Sequence, residues 1–182
     1  MLKRSALELK SVKNLCIISF LLAVKIVIQF VCTIRIANYL HVGFSFLVFI
    51  IVGSMFGPVV SFLFGFMADI LGFCICSGSG KSGAFFIGFT ISSILSAVIY
   101  SLFLYKFKFG VARVIVMQII HDLIICFCLN TLWLSITVFG GNLQKAFFAR
   151  ILKECLVLPI NCIMALVVAS AFKKVVERLK LS

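Results

Sequence analysis

Charged residues, and acidic residues above all, are scarce in this chain. Only 12% of its 182 residues are charged and five are Asp or Glu, whereas 64% are hydrophobic. Mean hydropathy is +1.29. Water-soluble domains carry about a quarter charged residues and are about half apolar, so a soluble core cannot bury this much apolar surface. The composition excludes an ordinary soluble domain and predicts that the chain lies in a bilayer.

Patterns of catalytic and metal-binding residues are also missing. The eight cysteines lie mostly inside apolar runs, and neither C-x-C pair, at 74/76 or at 126/128, has zinc-site spacing. No Ser, Cys or Glu completes a hydrolase or H-E-x-x-H pattern around His121 and Asp122. We therefore expect no catalytic site and no bound metal. We interpret His121 and Asp122 as polar groups that satisfy each other or neighbouring helices.

The glycine-rich stretch 77–83 resembles a phosphate-binding P-loop but does not match the G-x-x-x-x-G-K-[ST] pattern. That pattern needs a glycine where this chain has Ile75, and no strand precedes the stretch. Nucleotide binding is therefore not expected. Gly80, Lys81, Ser82 and Gly83 are instead interpreted as a loop that opens and closes over a ligand, with a plain connector as the alternative.

Six apolar stretches can be drawn along the chain, which predicts an all-α integral membrane protein with one membrane domain over 1–182. The run from Gly43 to Cys76 is too long for one span and too short for two full ones. Because proline disrupts the preceding helical turn, we expect the break at Gly57-Pro58. The stretches are roughly 15–34, 44–56, 58–76, 83–105, 112–138 and 148–172.

The distribution of basic residues predicts the topology. The net charge is +12, but Lys and Arg sit mainly at segment ends, and no basic face interleaved with aromatics suggests nucleic-acid binding. With six helices and both termini cytoplasmic, most of the 17 basic residues fall on the inner side. Five helices would place the central and C-terminal basic clusters outside. The positive-inside rule therefore favours six transmembrane helices.

The basic residues of the outer half indicate a ligand that carries negative charge. Lys25, Arg35, Lys145, Arg150 and Lys153 converge in this topology on the outer ends of three helices. Ionisable groups at membrane depth are costly and by default suggest function, and arginine can grip a carboxylate through two hydrogen bonds. The alternative is snorkelling to the lipid headgroups, which accounts for Lys145 and extends to Lys25.

Aromatic and amide side chains near the same outer ends could complete a pocket for a flat heterocycle. Asn130 can pair with donor and acceptor groups on such a ring, while Trp133 offers a stacking surface. Phe44 and Phe89 are among the phenylalanines that could line the pocket, although most of the 21 are expected in the core or against lipid. Trp133 could equally anchor the interface. On the first helix, Ser19 and Ala23 have the spacing of a close helix contact.

Taken together in order, several motifs resemble the substrate-binding S components of energy-coupling factor (ECF) vitamin transporters, and among them the folate-type members. The resemblance covers nearly the whole chain. The motifs are 42–47 (VGFSFL), 53–58 (GSMFGP), 65–72 (G-x-x-x-D-x-x-G), 82–90 (SGAFFIGFT), 99–105 (IYSLFLY), 130–135 (NTLWLS) and 149–153 (ARILK). Two positions depart from the family, which often has proline where this chain has Val48 and Ile87.

The resemblance implies a six-helix bundle in a prokaryotic plasma membrane, with an outer cavity gated by the first and third outer connections. It implies association with a transmembrane coupling subunit and two cytoplasmic ATPases. The family's A-x-x-x-A contact patch for the coupling subunit reads Ser19-x-x-x-Ala23 here. No cofactor is implied, since folate would be the transported ligand.

The charges and positions suggest how folate would fit such a cavity. The folate rings would stack on Phe and Trp side chains, and Asp69 and Asn130 would bind the pterin edge. Arg35, or Arg150 with Lys153, would bind the carboxylates. Three alternatives stay open: an S component for another vitamin such as riboflavin or thiamin, an intramembrane enzyme around His121, Asp122 and Glu154, and a membrane scaffold that binds no small ligand.

Overall fold

The part of the chain that the computed structural model describes is mainly helical. It comprises residues 5, 8–9, 11–31, 34–37, 40–77, 86–105, 110–137 and 140–181. Of these, the side chains of 34–37, 40–42, 76–77, 145, 149, 152–153, 156 and 172–181 are outside the description. The helices are α1 (Val12–Val31), α2 (Phe46–Phe56), α3 (Pro58–Ser77), α4 (Ile87–Leu104), α5 (Val111–His121), a π-helical segment (Asp122–Leu129), α6 (Asn130–Thr137) and α7 (Leu143–Leu181).

Four of the described helical stretches are long and apolar enough to cross a membrane. They are Val12–Val31, Pro58–Ile75, Ile87–Leu104 and the continuous run Val111–Thr137. Phe46–Phe56 and Val157–Ala171 are apolar but shorter. Large apolar side chains such as Phe148 point outward with 72% of their surface exposed, which suits contact with lipid. The chain is therefore a helical membrane protein, as the composition predicts.

The predicted break between the second and third apolar stretches is confirmed. α2 ends at Phe56 and α3 begins at Pro58, with Gly57 between them at a φ of +80°, where a side chain would be strained. The Ser5 hydroxyl donates to the Phe56 carbonyl at 2.6 Å and lies 3.2 Å from the Val59 backbone nitrogen. One distant side chain therefore caps both helices at the turn.

One element was not predicted, because the expectation was all-α. Strands β1 (Ile34–Ala37) and β2 (Leu40–Val42) form a two-stranded antiparallel hairpin between α1 and α2. Arg35 pairs with His41 in the register, which becomes irregular before Ala37. The alternation of isoleucine and polar residues at 33–36 is a strand pattern, but it is too short to be distinguished from the end of a helix.

The core lies where α2, α3 and α4 approach closely over small residues. A Cβ on Gly53 of α2 would lie 2.8 Å from the Ser101 backbone nitrogen of α4. A Cβ on Gly65 of α3 would lie 2.9 Å from Cα of Ile94. Small residues allow membrane helices to meet backbone to backbone. This contact fixes α3 antiparallel to α4 and sets the frame for the site.

Candidate functional site

Three aromatic rings cluster at the end of the bundle where α4 begins and α6 ends, which we call the aromatic end. The Phe86 ring centroid lies 5.5 Å from that of Trp133 and 6.0 Å from that of Phe89. Gly88 makes this possible, because a Cβ there would lie 2.6 Å from Cδ2 of Trp133. The predicted Trp133 and Phe89 are therefore brought together through Phe86.

The indole of Trp133 is held by its polar edge. Its Nε1–H donates to the Ser92 hydroxyl of α4 at 3.1 Å. Tryptophan N–H groups usually have a partner when buried, since an unpaired donor costs free energy. This bond fixes the orientation of the indole ring relative to α4. The sequence offered no signal for it beyond the serines of α4.

Asp69 lies next to the cluster through Thr90. The Thr90 hydroxyl donates to Oδ2 of Asp69 at 2.7 Å, and Thr90 directly follows Phe89 on α4. The carboxylate therefore lies beside the aromatic cluster, and its second oxygen can also accept a hydrogen bond. The structure thus brings Asp69, Phe89 and Trp133 to the same end of the bundle.

Asn130 presents a buried acceptor without a partner. Among the residues that the structure describes, Asn130 Oδ1 and Thr131 Oγ1 are buried and make no hydrogen bond. Asn130 lies three residues before Trp133 in α6, so the two side chains share one helix face. Buried polar atoms are nearly always paired, and an unpaired one at such a place suits a ligand donor.

Arg150 is engaged with an acid of its own helix. Its Nη2 lies 3.1 Å from Oε1 of Glu154, and both side chains are buried. Its Nε is also buried, and the guanidinium therefore keeps one buried N–H without a partner among the described residues. The side chains of Lys153 and Arg35 lie outside the described residues, although Arg35 falls in β1.

Lys25 does not snorkel, and that interpretation was wrong. The side chain is 4% exposed, and its Nζ donates to Oε1 of Gln29 at 2.7 Å and to the Ala68 carbonyl at 3.0 Å. The ammonium also lies 5.7 Å from the Phe49 ring centroid. Carbonyl dipoles and an aromatic face replace water around the charge. Lys25 therefore joins α1 to α2 and α3.

Phe44 lies half-buried against the hydrophobic core, and its carbonyl accepts from the Leu47 backbone N–H at 3.1 Å at the start of α2. Ser19 and Ala23 are exposed on α1, as a contact patch for another helix would require. Gly80, Lys81, Ser82 and Gly83, the predicted gating loop, lie outside the described residues.

A second polar cluster lies deeper in the bundle, around the π-helical segment. Asp122 Oδ1 is 2.9 Å from Nδ1 of His121 and 3.0 Å from Nε2 of Gln118. Its Oδ2 is 3.4 Å from Nδ2 of Asn161 on α7. Tyr100 donates to Gln118 at 3.2 Å. These contacts confirm that His121 and Asp122 satisfy each other and neighbouring helices.

The same cluster has ligand atoms that a metal could use. One atom each of His121, Asp122 and Cys126 lie within 4.8 Å of one another. Both ring nitrogens of His121 and both oxygens of Asp122 already take part in hydrogen bonds. A metal would have to displace those bonds, so the arrangement favours a structural network over a metal site.

An apolar groove of about 410 Å³ lies between α3 and α4, toward the end opposite the aromatic cluster. It is lined by Pro58, Val59, Phe62, Leu63 and Val98. Small-molecule sites need a few placed polar groups to orient a ligand, and this groove has none. We therefore assign the candidate ligand site to the aromatic end.

Comparison with known proteins gives concordant matches. Residues 13–179 match the family "ECF transporter, substrate-specific component". The folate transporter FolT of Clostridium novyi (strain NT) is 32% identical over 173 residues, which cover 95% of each chain. FolT of Leuconostoc mesenteroides subsp. mesenteroides is 33% identical over 129 residues, 68% of each. A crystal structure of FolT bound with folic acid matches with a TM-score of 0.77 and 26% identity, covering 87% of this chain and 92% of that one.

Proposed function

Since the chain belongs to the family of ECF transporter substrate-specific components, we propose that it captures folate for ATP-driven uptake by partner subunits. Relatives that match over most of its length are folate transporters, and a structural neighbour is bound with folic acid. The role is that of a binding subunit with no catalytic site and no cofactor of its own.

The observation that carries the proposal is the aromatic end of the bundle. Folate contains flat pterin and aminobenzoyl rings, which stack well on aromatic side chains such as Trp133 and Phe86. The pterin edge carries an amino group that needs an acceptor, and the buried Oδ1 of Asn130 has no partner among the described residues. The other carboxylate oxygen of Asp69, Oδ1, offers a second acceptor nearby.

The glutamate carboxylates of folate require cations. Arg150 fits this role because its Nε is buried without a partner in the described part of the chain, while Glu154 accepts from only part of its donor set. Arg35 and Lys153 are proposed from charge and position in the chain. Arg35 falls in the hairpin that follows α1, a suitable place for a residue that closes over a ligand.

We place the candidate site at the outer face of a multi-pass protein in a prokaryotic cell membrane, with a single domain over 1–182. α2 and the 157–171 part of α7 would complete six spans, with both termini cytoplasmic. The partners would be a transmembrane coupling subunit, for which Ser19 and Ala23 on exposed α1 would form the contact, and two cytoplasmic ATPases. Residues 80–83 would form the gate.

The test is isothermal titration of the detergent-purified chain alone with folate, using riboflavin and thiamin as controls. Tight one-to-one binding of folate without partners is expected. Arg35→Ala should weaken binding while leaving the helical circular dichroism unchanged, and unchanged affinity would remove Arg35 from the site. Binding only to a control vitamin would replace the ligand and keep the class. No binding to any of the three would refute the capture role and favour an enzyme or a scaffold.

A further inference from the structure

The chain contains one tryptophan, and its orientation depends on a serine of another helix. Trp133 is in α6 and Ser92 in α4, 41 residues apart in sequence. An indole can rotate about two side-chain torsions, and each staggered state would present a different surface at the aromatic end. The hydrogen bond to the Ser92 hydroxyl selects one of them. The stacking surface is therefore set by α4 as well as by α6.

The backbone carbonyl of Ser92, rather than its hydroxyl, takes part in a second set of hydrogen bonds. The Ser96 hydroxyl donates to the Ser92 carbonyl at 2.7 Å, one helical turn along α4. Because a carbonyl can only accept, the Ser96 proton is committed to it. The Ser96 oxygen lies 3.1 Å from Nε2 of His121.

The other ring nitrogen of His121 extends these contacts to Asp122. Nδ1 of His121 faces Oδ1 of Asp122 at 2.9 Å, and that carboxylate also accepts from Gln118 and Asn161. His121 also stacks on the Tyr100 ring with centroids 4.7 Å apart, which keeps the imidazole from turning.

The two serines are buried, as are His121 and Asp122. Such networks restrict side chains strongly when every member is satisfied, because breaking one bond strands a buried polar group. The network spans α4, the π-helical segment and α7. It therefore holds α4, which carries Ser92, in place relative to the π-helical segment.

We propose that Ser92 is a positioning residue for Trp133, and that Ser96 supports it by joining α4 to His121 at the end of α5. The Ser92 hydroxyl holds the indole in the orientation in which its face stacks on a flat heterocyclic ligand. The effect on ligand affinity rests on the proposed folate-binding function, whereas the restraint on the indole does not.

The experiment uses the full detergent-purified chain, whose tryptophan fluorescence reports Trp133 alone. Emission maximum, steady-state anisotropy and acrylamide quenching are measured without ligand, followed by folate titration. Ser92→Ala should lower the anisotropy, increase quenching and raise the folate Kd about tenfold, the equivalent of ~1.4 kcal/mol for one lost buried hydrogen bond. Ser96→Ala should act in the same direction, with an increase in Kd of about threefold.

Ser93→Ala is the matched control, because that hydroxyl donates to the Gly65 carbonyl at 3.0 Å on α3, away from the indole. It should match the wild type in all three fluorescence measurements. Ser92→Thr restores a hydroxyl and should recover the wild-type anisotropy and Kd. If Ser92 contributed only to stability, Ser92→Thr would not recover the wild-type anisotropy when compared with Ser92→Ala at equal thermal stability.

Wild-type anisotropy and quenching in both Ser92→Ala and Ser96→Ala would overturn the proposal, as would a change of the same size in Ser93→Ala. If the wild-type chain binds no folate, the proposed function fails, and the fluorescence comparison still decides whether the serines restrain Trp133. Altered fluorescence with unchanged Kd would refute the link between the indole orientation and affinity.

Discussion

Replacing Gly53 by alanine tests the close contact between α2 and α4. The new Cβ would lie 2.8 Å from the Ser101 backbone nitrogen and 2.9 Å from its Cα, where ordinary contacts begin at 3.4 Å. Backbone atoms of a packed helix cannot rotate away, so α4 must retreat by about 0.6 Å. Tyr100, fully buried beside this contact, would have to move with it.

The magnitude follows from two opposing effects. Overpacking a core costs about 1–3 kcal/mol, whereas alanine is favoured over glycine in a helix by about 1 kcal/mol. The expected net loss is therefore up to about 2 kcal/mol, and a loss of that size lowers the Tm by roughly 4–8 °C for a chain of this length. The assay is thermal unfolding in detergent, monitored by circular dichroism.

Gly72→Ala is the matched control for Gly53→Ala. Its Cβ would meet Oε1 of Gln29 at 3.0 Å, a side-chain atom that can shift by a few tenths of an ångström at some cost to its hydrogen bond from Lys25. The gain in helix propensity is the same and no backbone has to move, so the Tm should fall less than in Gly53→Ala. A Tm of Gly53→Ala equal to or above the Gly72→Ala value would refute the reasoning from backbone contact.

Three further changes follow from contacts described above. Ser5→Ala removes the cap at the α2–α3 turn and should cost about 1–2 kcal/mol, seen as a lower Tm. The exposed Ser170→Ala, inside α7 where the hydroxyl donates to the Val167 carbonyl of the same helix, should not lower the Tm, and equal values for the two variants would contradict the capping role. Asp122→Ala strands buried donors and should cost about 3–5 kcal/mol, whereas Asp122→Asn, which keeps an acceptor, should cost less in the same unfolding assay. Asn130→Ala should weaken folate binding about tenfold by titration with little change in Tm, and an unchanged Kd would remove it from the site.

Features encoded in adjacent residues were predictable from the sequence. The break at Gly57-Pro58 depends on two neighbouring residues, and the helical stretches follow from runs of apolar residues, so both predictions agree with the structure. The candidate site residues Asp69, Phe89 and Trp133 were also predicted, and the structure places them at one end of the bundle. Their roles in binding stay predictions.

Features that depend on a partner in another helix were not predictable. Lys25 is satisfied by the Ala68 carbonyl, 43 residues away, and any helix offers such a carbonyl without a sequence signal. Ser92 is one of several serines in α4, and only the antiparallel packing of α4 against α6 distinguishes it as the partner of Trp133. Periodicity describes which face of a helix is apolar but not which residue of a neighbour meets it.

The π-helical segment determines where the sequence can tolerate an inserted or deleted residue. A π-helix holds more residues per turn than an α-helix, so the backbone N–H of Asn130 bonds to the carbonyl of Ile125, five residues back. The two halves of the run Val111–Thr137 are thereby out of phase with one another. Deleting one residue from the π-helical segment would let it return to α-helical spacing, whereas deleting one residue from the α-helical part of α5 would rotate the rest of the run by about 100° and carry Trp133 off the face shared with α4. Changes of length that are compatible with the site therefore belong in the loops or in the π-helical segment itself.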